Sequence, residues 1–161
     1  MTQLITSQQD ADQWLAYVES EATSLSHLDE FSINNYADSE LLNPEVQDYL
    51  LNRYVDLGSE ETLLDSINTL SLSFAQNKIA GQEALLFGRW ARVKATIRKI
   101  FCTVIGTVLG DSDLKWKDII KAVLLALIPA FGTGLPLITL PIVVSLLAAL
   151  MKYGYQSVCP A

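Results

Sequence analysis

The sequence predicts an all-α fold: a helical bundle of about six helices that ends in a C-terminal hydrophobic helical hairpin. Three observations predict it. Apolar side chains recur at intervals of three and four residues along several segments, as they do on one face of a helix. Helix-capping residues precede several of these segments. The 30 residues 122–151 contain no charged side chain, and a segment this apolar must be buried in protein, in lipid or in a partner.

Charge is distributed unevenly over the 161 residues. Residues 1–83 hold fifteen acids and two bases, a net charge of −13, whereas residues 84–161 hold three acids and nine bases, a net charge of +6. We therefore predict an acidic, soluble helical region over 1–83 and a basic, hydrophobic region over 84–161, which together form one compact unit. The two regions can attract one another within a molecule or between neighbouring molecules.

The first predicted helix starts at Ser7 and runs to about residue 24. The Ser7 side chain can accept a hydrogen bond from a first-turn N–H group, and Asp10 lies where the helix dipole favours a carboxylate. A short second helix is predicted around Leu28 and Ile33. Residues 34–39 are rich in Asn, Asp and Ser, which predicts a loop.

Asn43-Pro44 is the clearest helix start in the chain. Asparagine is a preferred capping residue, and proline at the first helical position sacrifices no hydrogen bond. The helix that begins here is predicted to end near Gly58, and Ser59 is predicted to cap a further helix that reaches Gln76. Together the two helices predict an antiparallel hairpin of the kind common in soluble proteins.

Residues 77–110 predict one long or kinked helix with a basic side. Residues 89–99 hold five of the eleven bases and no acid. Apolar residues at positions 86, 90, 93, 97 and 100 form a stripe beside these cations. A basic amphipathic helix is typical of a membrane surface or of a partner's groove. The candidate membrane or partner surface consists of Arg89, Trp90, Arg92, Lys94, Arg98 and Lys99.

Two roles remain open for this basic helix. In the first, its cations attract anionic lipid and Trp90 anchors it in the membrane surface. In the second, it is an ordinary bundle helix whose arginines pair with the acidic region 1–83. The net charge of −7 argues against nucleic acid as a partner.

The charge-free run is too long for one straight crossing of a bilayer. As a single helix it would reach about 45 Å, against a hydrocarbon core of about 30 Å. Glycines and prolines around Gly132-Thr133-Gly134-Leu135-Pro136 signal a turn. We therefore predict two helical arms, at about 118–131 and 137–153, with Leu135 extended. The candidate anchors and turn residues are Trp116, Lys121, Gly132, Gly134, Pro136, Lys152, Tyr153 and Tyr155.

Three environments remain open for this hairpin. It can enter a membrane with both outer ends on the same side, because lysines flank both ends. It can instead be buried at the centre of a helical bundle, since a helix that is apolar all round is buried in one way or another. A single crossing by residues 135–151 is the third interpretation.

The sequence predicts no enzyme activity, no cofactor and no metal site. His27 is the single histidine, and it has no companion at catalytic or ligand spacing. Cys102 and Cys159 form neither a disulfide framework nor a metal motif, so we expect reduced thiols in a cytosolic protein. The first residues lack the basic and long apolar segments of a signal peptide.

These observations favour a non-enzymatic, membrane-acting helical protein. The basic helix would bind anionic membrane lipid, and the hairpin would engage or insert into the bilayer, with permeabilisation by a homo-oligomer as an extension of this hypothesis. The expected location is cytoplasmic, peripheral to or inserted in a membrane. The alternative is a soluble helical adaptor or assembly subunit, with the hairpin buried in its core or in a subunit interface and the basic helix docked on an acidic protein partner.

The predicted layout, a soluble helical bundle that holds an apolar hairpin, is similar to that of membrane-inserting toxins and death regulators. The similarity is one of architecture, and it assigns no role to any residue.

Overall fold

The computed structural model describes residues 4–54, 80–108, 115–132 and 134–159, which form an all-α bundle as predicted. Eight α-helices lie within these ranges. They are α1 (Gln8–Asp12), α2 (Leu15–Ser26), α3 (Glu30–Tyr36), α4 (Pro44–Asp48), α5 (Ala80–Val108), α6 (Trp116–Ala130), α7 (Leu140–Tyr153) and α8 (Tyr155–Val158). Short 3-10 helices cover Asp38–Leu42 and Leu137–Thr139, and a π-helical turn, Tyr49–Arg53, follows α4 directly.

The first predicted helix is two helices in the structure. Ser7 is the N-cap, and its hydroxyl accepts a hydrogen bond from the Asp10 N–H at 3.2 Å. The helix breaks at Gln13 and Trp14, between α1 and α2. Helix α1, before the break, contacts α6, whereas α2, after the break, contacts both α6 and α7. The two helices together cover both α6 and α7, and the local sequence pattern does not indicate the break between them.

The loop predicted over residues 34–39 is wrong. Helix α3 continues to Tyr36, and the 3-10 helix Asp38–Leu42 follows. The polar side chains fit a helix because nearby backbone carbonyls satisfy them: the Asn35 amide donates to Phe31 O at 2.8 Å, and the Ser39 hydroxyl donates to Tyr36 O at 2.8 Å.

The helix start at Asn43-Pro44 is confirmed. The Asn43 side chain accepts a hydrogen bond from the Glu45 N–H at 2.9 Å, and Pro44 occupies the first turn of α4. The predicted stop at Gly58 and the helix over residues 59–76 lie outside the described residues. The division of the chain at residue 83 stays a prediction.

Helices α6 and α7 contain most of the charge-free run 122–151 and extend beyond it at both outer ends. Each packs against α2 and α5, and α7 also contacts α3 and α8. Seven residues of α7 are buried, and so are four of α6. The buried residues are Leu140, Ile142, Val143, Val144, Leu147, Ala148 and Leu150 on α7, and Ile120, Val123, Leu124 and Leu127 on α6.

Among the residues that the structure describes, no helix is both long enough and apolar enough to cross a membrane.

A short antiparallel ladder fastens the chain between α6 and α7. Strand β1 (Leu4–Ile5) pairs with β2 (Leu135–Pro136), so that Ile5 lies opposite Leu135. Leu135 is extended as predicted, and both it and Pro136 are buried. The two neighbouring glycines have positive φ angles, +76° at Gly132 and +148° at Gly134. Thr133 lies outside the described residues.

Candidate binding groove on helix α5

Helix α5 has one face in the core, as its apolar spacing predicts. Trp90, Val93 and Ile97 are at most 1 % exposed. Phe101 and Ile105 extend the same buried stripe toward the C-terminal end of the helix. A spacing of three and four residues keeps these side chains on one side, which leaves the opposite side of α5 to carry the exposed groups.

Trp90 lies in this core rather than on the surface. Its indole Nε1 donates a hydrogen bond to Asp38 Oδ1 at 3.1 Å. A membrane anchor would need an exposed ring, whereas Trp90 is 1 % exposed in this conformation. Its role at a membrane or partner surface stays a prediction, and any such role requires the ring to leave the core first.

Two cations of α5 bind the acidic front part of the chain. Lys94 Nζ forms an ion pair with Asp38 Oδ1 at 2.6 Å. The Arg89 guanidinium donates to the backbone carbonyl of Leu50 and lies 5.3 Å from the centre of the Tyr54 ring. These contacts correspond to the bundle-helix role foreseen for α5, although the described partners of Arg89 are a carbonyl and an aromatic ring. Arg92 is half-buried on the same helix.

Three of the five cations face a groove that is lined by α3, α5, α7 and α8. The groove encloses about 870 Å³, within the range of about 300–1,000 Å³ that is typical of ligand sites. Lys94, Arg98 and Lys99 line its α5 side, and no acidic residue of the described chain lines it. Its apolar surface comes from Ala91 and Ala95 on α5 and from Ile142 and Leu146 on α7. The groove therefore combines positive charge with an apolar wall.

Arg98 fixes the C-terminal segment to the edge of this groove. Its Nε and Nη2 atoms both donate to the backbone carbonyl of Val158, at 3.0 and 2.7 Å. Lys99 is exposed on the next position of α5 and makes no ion pair within the described part of the chain. Arg98 and Lys99 thus lie side by side, one engaged by the protein's own backbone and the other open to a ligand.

Cys102 and Cys159 form a disulfide bond that also lines the groove. The expectation of reduced thiols is therefore wrong. The two cysteines are 57 residues apart in sequence, and their Cα atoms are 5.6 Å apart because α8 folds back onto α5. Two cysteines 57 residues apart form no recognised spacing motif, so the sequence alone does not predict that they pair. The cytoplasmic location stays a prediction, without the support of free thiols.

The predicted anchors at the outer ends of the hairpin take part in contacts within the bundle. Trp116 is half-buried at the start of α6. Lys121 forms an ion pair with Asp12 at 3.2 Å. The Lys152 ammonium donates to the backbone carbonyl of Leu28. Both lysines thereby connect the apolar helices to the front part of the chain.

The two flanking tyrosines have different positions. Tyr153 is 42 % exposed at the end of α7. Tyr155 is half-buried and lines the groove, with its hydroxyl beside Gly106 of α5. Of the predicted anchor and turn residues, Tyr155 is the one that the structure brings to the groove.

Sequence reasoning missed the residues that α3 and α7 contribute to the groove. Ser145 is the single polar residue between Leu140 and Met151. Its hydroxyl donates to Ile33 O at 2.7 Å, and its residue lines the groove beside Asn34. Ser145 is a lone hydroxyl residue in an apolar helix, and this alone could have indicated that its side of α7 contacts a polar group.

Within the described ranges, no group of three or more His, Cys, Asp or Glu residues is placed to hold a metal ion. No protein-family model, curated protein or solved structure matches this chain. The function has to be inferred from the chemistry of the groove itself.

Proposed function

We propose that this protein is a non-enzymatic helical adaptor that binds an acidic amphipathic helix of a partner protein in the α5 groove. The observation that supports this proposal most is the pairing of Arg98 and Lys99 with an apolar wall that carries no acid. A helix with apolar residues on one side and carboxylates beside them would match both features of the groove. Helix-in-groove binding of this kind is a common mode of peptide recognition.

The shape of the groove supports a helical ligand. Ala91 and Ala95 lie about one turn apart on the outward side of α5, and Cys102, which is bonded to Cys159, marks the end of the groove about two turns further on. Small side chains let a second helix approach closely, because interhelical distance depends on the side chains at the contact. From position 91 to position 102 the groove extends for about 16 Å, which is about three turns of a partner helix.

The charges of the groove support an acidic partner. Lys99 is exposed and free to pair with a carboxylate, whereas Lys94 already forms an ion pair with Asp38. Exposed charges of this kind contribute little affinity each but steer encounter and select against basic partners. Binding should therefore weaken with added salt, since salt screens exposed charges.

The test uses a synthetic amphipathic peptide of about twelve residues, with leucines on one face and glutamates on the other. We expect Lys99→Glu to weaken its binding about tenfold, because an attractive charge becomes a repulsive one. The matched control is Lys117→Glu, which makes the same change in net charge at an exposed position of α6 outside the groove lining. Equal weakening by both substitutions, or no binding by the wild-type protein, would contradict the proposal.

A second candidate is a latent membrane-acting protein that releases α6 and α7 into a bilayer on a trigger. The observation that favours it is the absence of any charged side chain between residues 122 and 151. The two helices have 15 and 14 residues, so each measures about 22 Å and both would have to enter together. Flotation with anionic liposomes, followed by a carbonate wash, tests this candidate. Retention that is lost in Arg92→Glu plus Arg98→Glu would support it, and no retention at any salt concentration would remove it.

A further inference from the structure

The segment that follows α7 folds back along the edge of the groove. Gly154 has φ +89° and makes a sharp change of direction after Tyr153. Helix α8 then packs its short length against α7, and the segment reaches α5 through Val158 and Cys159. Because Gly154 has no side chain, it adopts this conformation without the strain that another residue would have.

This C-terminal segment, residues 154–159, is held by the disulfide, by the packing of α8 on α7 and by the two hydrogen bonds from Arg98. Val158 and Cys159 are each 5 % exposed, whereas Gln156 and Ser157 are exposed. The Val158 carbonyl accepts the two hydrogen bonds from Arg98. A covalent bond keeps the groups that make these noncovalent contacts at a high effective concentration, so its loss should shift the segment toward an open state.

We infer that the Cys102–Cys159 disulfide is a redox-sensitive lock on the groove: its reduction releases residues 154–159 and frees Arg98 to bind the acidic helix. The release of the segment does not depend on the proposed function, whereas the binding of the acidic helix by Arg98 rests on it. In the locked state two of the Arg98 N–H groups are used by Val158. In the released state the whole guanidinium can bind a carboxylate in the bidentate geometry that arginine favours.

The reductant is a dithiol, which supplies two electrons. One of its thiolates attacks the sulfur of Cys102, the more exposed of the two cysteines, and the Sγ–Sγ bond breaks. Cys159 leaves as a thiolate and takes up a proton. The second thiolate of the reductant then attacks the mixed disulfide, which releases Cys102 as a thiol and the reductant as a cyclic disulfide.

The first arm of the test needs no partner. Hydrogen exchange is measured for the Cys159 amide, which donates to Tyr155 O at 2.7 Å, before and after reduction of the full-length protein. We expect its exchange to accelerate at least about tenfold, as for a locally opening segment. The amide of Leu147, in the interior of α7 and outside residues 154–159, is the internal control and should keep its rate. An unchanged rate for Cys159 would overturn the lock.

The second arm measures binding of the leucine–glutamate probe peptide in both redox states. Reduction should tighten binding about threefold to tenfold in the wild-type protein, as expected for one additional charge-assisted contact. Arg98→Gln should abolish this gain while the reduced segment still opens. Cys102→Ser with Cys159→Ser should bind as the reduced protein does and should not respond to the dithiol. Should this double variant fail to fold, reduced wild-type protein gives the same comparison.

The outcomes separate the two proposals. Equal binding in both redox states would overturn the lock and leave the adaptor function standing. Accelerated exchange of Cys159 without peptide binding in either state would overturn the adaptor function and leave the redox-controlled opening of the segment. A disulfide that is reduced only when the whole protein unfolds, seen as simultaneous loss of helical circular dichroism, would also overturn the lock.

Discussion

The indole of Trp90 and the carboxylate of Asp38 form a 3.1 Å hydrogen bond across 52 residues of sequence. The ammonium of Lys94 reaches the same carboxylate oxygen at 2.6 Å. Trp90 is 1 % exposed, whereas the side chains of Asp38 and Lys94 are 41 % and 37 % exposed. One carboxylate therefore satisfies a buried donor of α5 and a surface cation of the same helix, and it ties α5 to the start of a 3-10 helix from the acidic region.

This arrangement predicts that Asp38→Ala is more damaging than Asp38→Asn. The alanine leaves the buried Trp90 N–H without its acceptor, which costs about 1–3 kcal/mol. The half-exposed ion pair adds less than about 1 kcal/mol. Asparagine keeps an acceptor oxygen and loses the charge alone, so its cost should stay below about 1 kcal/mol. Urea denaturation of the three proteins measures the difference, and equal losses for both variants would contradict the role of the hydrogen bond.

Gly134→Ala should destabilise the protein through the ladder between β1 and β2. A Cβ atom at this position would lie 2.9 Å from Thr6 Cγ2 and 3.1 Å from the Ile5 carbonyl oxygen. The backbone also has φ +148°, which disfavours any residue with a side chain. Overpacking and strain together should lower the free energy of unfolding by about 2–4 kcal/mol.

Gly132→Ala is the matched control for this prediction. Gly132 also has a positive φ angle, +76°, but a Cβ atom there would meet nothing within 4 Å. Its cost should therefore be backbone strain alone, about 1 kcal/mol. Thermal unfolding of both variants separates the steric cost of the contact with β1 from the cost of the backbone strain. If Gly132→Ala were as harmful as Gly134→Ala, the packing of β1 against the turn would not be the cause.

The features that sequence reasoning found are those encoded by neighbouring residues. The buried side of α5 follows from the three- and four-residue spacing of Trp90, Val93 and Ile97. The cap of α4 follows from Asn43-Pro44, because the donor and the acceptor of its hydrogen bond are two residues apart. In both cases the determining interactions lie within one or two helical turns, so the local pattern contains them.

The candidate site depends on contacts that no local pattern contains. The disulfide joins positions 57 residues apart, and the bond from Arg98 to the Val158 carbonyl spans 60 residues. The sequence indicated that α5 carries a basic side, but not that the C-terminal segment returns to it. The position of the C-terminal segment decides which cations of α5 already have a partner and which are free to bind a ligand. The folded structure shows this position, and the sequence does not.

Alkaline pH should destabilise the fold through tyrosines whose pKa is raised in the folded protein. Burial, followed by the hydrogen bond to Glu21 at 3.1 Å, raises the pKa of Tyr36 above its ordinary value of 10.0. Burial also raises the pKa of Tyr49. Partial desolvation, followed by the nearby carboxylates of Glu21 and Glu40, raises the pKa of the exposed Tyr17. A raised folded-state pKa means that the folded protein keeps protons that the unfolded chain releases, so this stability is complete below pH 10.0 and is lost as pH rises above it.

Urea midpoints measured from about pH 8 to about pH 11 test this prediction. The midpoint should fall above pH 10, and the fall should be shallower in Tyr36→Phe, which has no phenol to ionise at that position. Glu21→Gln should have a smaller effect on the slope than Tyr36→Phe, because burial is the largest cause of the raised pKa. A slope in Tyr36→Phe identical to that of the wild type would show that Tyr36 does not contribute.

Leu147→Lys tests whether α7 belongs to the protein core. Leu147 is 0 % exposed, so an ammonium there would be buried without a partner. The lost apolar contact and the buried charge should together cost more than about 4 kcal/mol. Since the whole domain is expected to be stable by about 5–15 kcal/mol, the variant should be unfolded or melt far below the wild type in circular dichroism.

Tyr153→Lys on the same helix separates burial from added charge. Tyr153 is 42 % exposed, and a surface substitution of this kind should change the free energy of unfolding by less than about 1 kcal/mol. Leu147→Met adds a second comparison, because a volume-conserving apolar exchange should cost less than about 1.5 kcal/mol. If Leu147→Lys melted with the wild type, the packing of α7 would contribute little to the fold. That outcome would weaken the adaptor, which needs a rigid apolar wall at Ile142 and Leu146, and would favour a helix held ready for release into lipid.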